Sequence, residues 1–194
     1  MKDGSAYKAS ASSNSATLNI YRMGFYYYET RLEGQNFSSA ITTDKELSVG
    51  VGNYSTANDV KRAEVTDGVL SYRTGGGGDP YLIYPVDYSA NEYDYLELTL
   101  RTANDCKAEI WMVSGDETAF TQKQRYGFDI YGGEEYFTYY LPVSEKMEGY
   151  SGKVSQIRFD INAAVNETVE IAGIKAIKAT LDGAPKSVTM QRSF

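Results

Sequence analysis

Histidine is absent from the 194-residue sequence, and cysteine occurs once, at Cys106. Without histidine, the chain can form no Ser-His-Asp triad, no histidine-ligated zinc site and no imidazole general base. A lone cysteine forms no disulfide within the chain, which is compatible with the cytosol and with cysteine-poor bacterial surface proteins. Any catalysis would therefore have to use carboxylates, tyrosine, lysine or the single thiol.

The sequence also lacks a cluster of basic residues and a long apolar run. It has 19 Lys and Arg residues against 26 Asp and Glu residues, a formal net charge of −7. Binding to a phosphate backbone needs concentrated positive charge, so we expect no nucleic-acid partner. No apolar run approaches the length of a membrane span, so we expect no membrane insertion.

Tyrosine is unusually abundant, with 18 residues against seven Phe and one Trp, and hydrophobic residues make up 42% of the chain. Tyrosine favours the half-buried, pleated surface of a β-sheet. Short strand-like runs are separated by turn residues, and no long helical pattern occurs. These features predict an all-β protein, an antiparallel β-sandwich. The predicted strands are Phe25–Arg31, Glu46–Val51, Val69–Arg73, Tyr81–Tyr84, Tyr95–Arg101, Lys107–Val113, Tyr126–Ile130, Tyr136–Leu141, Val154–Ile161 and Thr168–Lys178.

Four of these runs alternate between two faces with a period of two: YLELTLR, KAEIWMV, EYFTYYL and VSQIRFDI. One set of side chains should enter the core and the other should lie on an outer face. The rhythm breaks between Ile171 and Ile174, around Gly173, which predicts a β-bulge that turns both isoleucines inward. The residues predicted for the core are Leu98, Ile110, Phe128, Tyr139, Ile157, Phe159 and Ile171.

Four consecutive glycines, Gly75 to Gly78, lie between two strand-like runs. A phosphate-binding loop would continue with Lys and Ser or Thr and open a helix, whereas Asp79 and Pro80 follow here and a strand comes next. Glycine permits a close backbone approach, and the residue before a proline is restricted to an extended conformation. We therefore predict a structural connection between two strands.

The chain divides into three predicted segments. Residues 1–17 are rich in Ser and Ala and indicate a flexible linker, residues 18–180 form the sandwich, and residues 181–194 form a C-terminal linker. This organisation is typical of a module taken from a larger protein.

The order of the strand motifs resembles a known family. GVLSYRTGGGGDPYLIYP, YDYLELTLR, AEIWM, YFTYYLPV, VSQIRFDI and VEIAGIKAIKA follow one another. Together they resemble the β-jelly-roll carbohydrate-binding modules of the galactose-binding-like group, which are attached to bacterial glycoside hydrolases. The resemblance covers about Phe25 to Lys178.

That resemblance implies a non-catalytic, monomeric module that targets a larger bacterial glycan-degrading or surface protein to polysaccharide or oligosaccharide. Its partners would be the glycan and the other domains of the same parent chain, outside the cell or at its surface. Many relatives have an acidic residue between the two isoleucines of the last strand and hold a structural calcium ion. This chain has Ala172 and Gly173 there. No cofactor is therefore required, and a structural calcium ion is left open.

Strand parity supplies a candidate ligand-binding surface if Lys107–Val113, Tyr136–Leu141 and Val154–Ile161 share one sheet. Sugar rings stack their C–H faces on aromatic rings, and their hydroxyls bond to Arg, carboxylate and amide groups. Trp111 would provide the stacking plane. The predicted ligand-binding residues are Glu109, Trp111, Tyr136, Tyr140, Gln156, Arg158 and Asp160.

Two other functions remain open at the level of the sequence. A small jelly-roll glycoside hydrolase would use paired carboxylates, which Glu109 and Asp160 could imitate. A structural or adhesive surface sandwich would have no sugar site at all, and its fold alone would look the same. Arg158 and Asp160 could then simply pair with each other on a solvated surface.

Overall fold

The computed structural model describes residues 41–181 and 189–193. This part of the chain contains a short helix, α1 (Val143–Lys146), and a 3-10 turn at Gln122–Gln124. No helix in the described ranges is long and apolar enough to cross a membrane. The strands are β1 (Ile41–Ser48), β2 (Thr56–Asn58), β3 (Val60–Thr66), β4 (Val69–Thr74), β5 (Tyr81–Ser89), β6 (Tyr95–Thr102), β7 (Cys106–Ser114), β8 (Arg125–Ile130), β9 (Tyr136–Leu141), β10 (Lys153–Asn162), β11 (Thr168–Leu181) and β12 (Thr189–Ser193).

The strands form two sheets. The larger sheet has seven strands in the order β12-β9-β6-β11-β4-β3, and β1 also pairs with β11. The smaller sheet has five strands in the order β2-β5-β10-β7-β8. All neighbouring strands run antiparallel. The predicted all-β antiparallel sandwich is confirmed.

The core lies between the sheets and is built from the inward sets of the alternating strands. All seven predicted core residues are buried, none with more than 8% of its surface exposed. Complete burial of one large apolar side chain contributes roughly 1.5–3 kcal/mol relative to exposure. The period of two in the sequence therefore identified the residues that hold the sheets together.

The bulge in the last long strand is also confirmed. The pairing of β11 with β6 shifts register between Ile171 and Gly173, and both Ile171 and Ile174 are buried. The extra residue lets β11 keep apolar side chains inward on both sides of the irregularity. Along the edge opposite β6, β11 pairs first with β4 and then with β1.

Some sequence predictions fall outside the described residues, or differ from what is seen. The predicted linker 1–17 and the strand Phe25–Arg31 lie outside the described ranges. The sequence predicts a linker at residues 181–194, but in the structure Thr189–Ser193 pairs with β9 as β12. The sequence did not predict β2, which has three residues, or β3, whose side chains are almost all exposed and therefore show no apolar alternation.

The glycine run connects β4 to β5, as predicted, and it closes around the side chain of Asp59. Gly75 N donates to the Asp59 carbonyl at 2.6 Å, and Gly78 N donates to Asp59 Oδ2 at 2.8 Å. The pKa of Asp59 is lowered, most strongly by a backbone hydrogen bond from Gly77. The loop is thus organised by an internal carboxylate, and it ends at Asp79 beside the outer face of the smaller sheet.

Gly75→Ala should destabilise the protein by roughly 1–3 kcal/mol, because the added methyl group displaces the Asp59 carboxylate from the loop amides and crowds the Asp59 carbonyl. A Cβ atom at position 75 would overlap Asp59 Oδ1 and lie 3.0 Å from the Asp59 carbonyl oxygen. Gly76→Ala is the matched control, since its Cβ would meet only a Val165 methyl group at 3.8 Å. Urea denaturation measures the difference, and equal midpoints for the two variants would contradict this account of the loop.

Candidate functional site

The outer face of the smaller sheet collects five of the predicted site residues. Antiparallel register places Arg158 of β10 opposite Trp111 of β7, and Trp111 opposite Arg125 of β8. In the next row, Asp160 lies between Tyr81 of β5 and Glu109 of β7. Directly opposed residues on one face are close enough to interact. The two rows therefore form one continuous surface across four strands.

Aromatic rings and arginines alternate along this surface. The Cζ atom of Arg158 lies 3.9 Å from the ring centroid of Tyr81 and 5.7 Å from that of Trp111. Arg125 Cζ lies 5.3 Å from the Trp111 centroid. All three distances are within the range of about 6 Å for a cation–π contact. We call Tyr81, Arg158, Trp111 and Arg125 the aromatic–arginine ladder.

Arg158 is held by two carboxylates. Its Nε and Nη2 atoms each donate to one oxygen of Asp160 at 2.6 Å, and Nη2 also donates to Asp79 Oδ1 at 3.1 Å. Burial is the largest influence on the pKa of Asp160 and raises it, while Arg158 partly offsets this effect. Burial is the largest single influence on the pKa of Arg158 and lowers it, but the hydrogen bond to Asp160 and the charges of Asp160, Asp79 and Tyr81 together outweigh burial, so the pKa is raised. The guanidinium is fixed in position and remains charged.

Arg125 and Glu109 form a second bidentate pair. Arg125 Nε donates to Glu109 Oε2 at 2.9 Å, and Nη2 donates to the other carboxylate oxygen. The hydrogen bond from Arg125 is the main reason that the pKa of Glu109 is lowered. Glu109 is therefore ionised at neutral pH, and both arginines of the ladder carry a carboxylate partner.

A buried glutamine sets the start of β8 and so the position of Arg125. Gln124 is 1% exposed, and its Oε1 accepts a hydrogen bond from Ser114 N at 2.9 Å. Its Nε2 donates to the carbonyls of Ser114 and Gly149, both at 3.2 Å. These bonds join the beginning of β8 to the end of β7. Nothing in the sequence distinguishes this glutamine from an exposed one.

The prediction that Tyr136–Leu141 shares a sheet with the other two strands is wrong. Strand β9 lies in the larger sheet, so Tyr136 and Tyr140 belong to the opposite outer face of the sandwich. Alternation determines which side chains share a face of their own strand, but not which sheet the strand joins. Gln156 lies on the predicted surface, exposed and opposite Val113, one row beyond the ladder.

Three residues of this surface were not selected from the sequence: Tyr81, Arg125 and Asp79. Tyr81 and Arg125 have the parity of outward residues, because Leu82, next to Tyr81, and Phe128, three positions after Arg125, are buried. Extending the alternation to β5 and β8 would have found both. Asp79 follows the glycine run in a loop, where no periodicity exists, so only the tertiary structure brings it to Arg158.

The arrangement does not favour a catalytic role for Glu109 and Asp160. The two residues are cross-strand neighbours, but each carboxylate is already bound by an arginine. Asp160 is only 5% exposed, and both of its oxygens accept hydrogen bonds from Arg158. A glycosidase needs one carboxyl group that protonates the leaving oxygen and another that reaches the sugar or a water molecule. This pair presents neither.

The acidic residues in the described ranges do not cluster as metal ligands do. Within these ranges, no three His, Cys, Asp or Glu side chains come together in a group that could hold a metal ion. Calcium prefers six to eight oxygen ligands, usually several of them from carboxylates. The described residues therefore show no cluster of carboxylates of the kind that calcium prefers.

No family model matches the sequence, and no relative was found among curated proteins. Among solved structures, a point mutant of a carbohydrate-binding module of family 29 matches with a TM-score of 0.50 and 13% identity, over 69% of this chain and 91% of that one. A point mutant of the family 29 module CBM29-2, complexed with cellulohexaose, has a TM-score of 0.48 and 12% identity over 71% and 89% of the two chains. A low-affinity xylan-binding module, CBM86 from Roseburia intestinalis, has a TM-score of 0.46 and 13% identity over 70% and 95%. At this identity the likeness to the first structure establishes the fold, that of a jelly-roll carbohydrate-binding module.

Proposed function

We propose that this chain is a non-catalytic carbohydrate-binding module that binds neutral polysaccharide on the outer face of its smaller sheet. The aromatic–arginine ladder is the observation that carries the proposal. Trp111 and Tyr81 offer apolar ring surface, and the arginines and carboxylates around them offer hydrogen-bond donors and acceptors in fixed positions. Sugars require this combination, because one pyranose ring has both apolar faces and peripheral hydroxyls.

The shape of the surface suits a chain more than a single sugar. The ladder and its carboxylates extend across β5, β10, β7 and β8, and adjacent strands are about 4.8 Å apart. Three such spacings give a row of roughly 14 Å, which is longer than one sugar ring. An extended oligosaccharide could therefore contact Tyr81 and Trp111 at the same time.

The charge of the surface favours a neutral glycan. Arg158 is paired with Asp160 and Asp79, and Arg125 is paired with Glu109, so neither positive charge is left without a partner. The whole chain has a net charge of −7. A polysaccharide rich in uronic acids would meet repulsion from these carboxylates, and that repulsion would contribute to specificity.

We further propose that the module belongs to a larger bacterial protein that degrades glycans, located outside the cell or at its surface. In that setting it would act as a monomer that keeps the parent protein on its polysaccharide. The fold supports a binding role, since it is shared with a carbohydrate-binding module. The pairing of Glu109 and Asp160 with arginines on the proposed surface supports a non-catalytic role. Binding requires no cofactor in this proposal, and a calcium ion, if bound, would be structural.

Native affinity electrophoresis tests the proposed function. Gels would contain hydroxyethylcellulose, arabinoxylan or galactomannan as neutral polymers, and polygalacturonate or alginate as acidic ones. We expect retarded migration on at least one neutral polymer, none on the acidic polymers, and no release of reducing sugar from the same samples. Release of reducing sugar would favour the glycoside hydrolase, and unaltered migration on every polymer would favour the structural or adhesive domain.

A further inference from the structure

The outer face of the larger sheet carries a second cluster of the same chemical kind. Arg101 of β6 lies opposite Glu170 of β11, and its Nε forms an ion pair with a Glu170 carboxylate oxygen. The Cζ atom of Arg101 lies 4.7 Å from the ring centroid of Tyr136 on β9. Arg101 Nη1 also donates to the Glu134 carbonyl at 2.9 Å. An arginine is again held between an aromatic ring and a carboxylate from a neighbouring strand.

This cluster borders a depression of about 460 Å³. Its floor and walls come from the ends of β6 and β11 and from the loop before β9, and its lining residues are Arg101, Ala103, Gly133, Glu134, Thr168 and Glu170. The side chain of Arg101 is 37% exposed and that of Glu170 is 22% exposed. The groups that could meet hydroxyls are therefore accessible to a ligand from solvent.

We propose that this depression is a second site for neutral glycan, independent of the aromatic–arginine ladder. The proposal rests on the proposed function, because it transfers the same recognition chemistry to another surface. Tyr136, Arg101 and Glu170 correspond in kind to Tyr81, Arg158 and Asp160. Tyr136 orients the guanidinium, while Arg101, Glu170 and Thr168 donate to or accept from sugar hydroxyls.

The two surfaces cannot be occupied by the same stretch of one extended chain. The sheets of a sandwich pack face to face about 10 Å apart, so their outer faces point in opposite directions. A protein with a site on each face is bivalent. It would connect neighbouring polysaccharide chains, and on a dense polymer it would gain avidity without any further contact.

Stoichiometry and cross-linking test the proposal. Cellohexaose, xylohexaose and mannohexaose would each be titrated into the protein by isothermal calorimetry. The soluble polysaccharide built from the same sugar as the hexasaccharide that binds would then be mixed with the protein in a turbidity assay. We expect two sites in the unmodified protein. Arg101→Gln and Tyr136→Ala should weaken the site on the larger sheet by about tenfold or more, Trp111→Ala should weaken the site on the smaller sheet by as much, and Arg101→Gln/Trp111→Ala should weaken both. Turbidity should fall in each of these variants. The affinity of the remaining site should change by less than about twofold, because distant sites behave additively.

A control variant separates binding from folding. Lys153→Ala removes an exposed ion pair with Asp87, outside both surfaces, and should retain both sites. Thermal unfolding identifies any variant that fails to fold, and Arg101→Gln carries the test if Tyr136→Ala is such a variant.

The outcomes distinguish this proposal from the proposed function. If none of the hexasaccharides or polysaccharides binds the unmodified protein, both proposals fail. If one site is found, and Trp111→Ala removes it while Arg101→Gln does not, only the second site is refuted. If one site is found and only Arg101→Gln removes it, the larger sheet holds the sole site, and the two-site proposal is again overturned.

Discussion

Trp111→Ala should weaken binding at the smaller sheet by about tenfold or more, which corresponds to roughly 1–3 kcal/mol, the range for a central aromatic anchor. Trp111 lies in the middle of the ladder, between Arg158 on β10 and Arg125 on β8. Its removal takes away the stacking surface for a sugar ring and the aromatic contact of both guanidinium groups, which keep their carboxylate partners. Affinity electrophoresis in gels that contain the neutral polymer that retards the unmodified protein measures the change in affinity.

The same substitution should have a smaller effect on folding. Trp111 is only partly buried and lies on the outer face, and each cation–π contact contributes about 0.5–1 kcal/mol at an exposed site. We therefore expect the free energy of unfolding to fall by no more than about 1–2 kcal/mol through these two contacts. Tyr140→Ala is the matched control for affinity, because it removes an aromatic side chain from the larger sheet, opposite Glu97. A large loss of stability with unchanged affinity in Trp111→Ala would place the binding site elsewhere.

Arg158→Ala should destabilise the protein by roughly 2–4 kcal/mol, near the lower part of the range for breaking a buried ion pair. It leaves the carboxylate of Asp160, which is 5% exposed, without its bidentate partner. Asp160→Asn should destabilise less, because an amide carries no charge to be buried and Arg158 keeps Asp79. Urea denaturation at pH 7 compares the two variants, and equal losses would contradict this account of the pair.

The effect of Arg158→Ala should depend on pH, and the direction follows from Asp160. Burial raises the folded-state pKa of Asp160 above its ordinary value even with Arg158 present. A raised pKa means that the fold favours the protonated acid, so this contribution is present below the unfolded pKa and is lost as the pH rises through the folded pKa. Because Arg158 lowers the pKa, its removal raises the pKa of Asp160 further.

The stability difference between Arg158→Ala and the unmodified protein should therefore be largest at pH 7 and shrink toward pH 4, where the unpaired Asp160 is neutralised. Denaturation curves at pH 7, 5 and 4 give the difference directly. The stability difference between Arg158→Ala/Asp160→Asn and Asp160→Asn, neither of which has a carboxyl group at position 160, should not show this dependence. A difference that stays constant over the three pH values would refute the role assigned to Asp160.

Much of the sandwich could be predicted because its strands are amphipathic. Leu98, Ile110 and Phe159 alternate with polar neighbours, and a side-chain period of two sends one set inward wherever the strand finally lies. The irregular spacing of Ile171 and Ile174 was likewise sufficient to locate a bulge. These are local properties, since each depends on a few consecutive residues and on the geometry of an extended backbone.

The composition of the candidate site depended on long-range pairing. Parity correctly placed Glu109, Trp111, Arg158 and Asp160 on outer faces, but it could not tell that β7 and β10 are neighbours while β9 joins the opposite sheet. Either sheet would have satisfied the apolar side of β9 equally well.

Sequence alone thus determined the fold class, most of the strands, the core and the outward side chains, because hydrophobic burial acts on each strand separately. Only the tertiary structure decided which outward residues meet. It placed Arg125 against Trp111 through the buried Gln124, and it brought Asp79 to Arg158 through a glycine loop closed around Asp59. These contacts join residues distant in sequence, and their partners are chosen by strand order and loop closure, which leave no periodic signal in the chain.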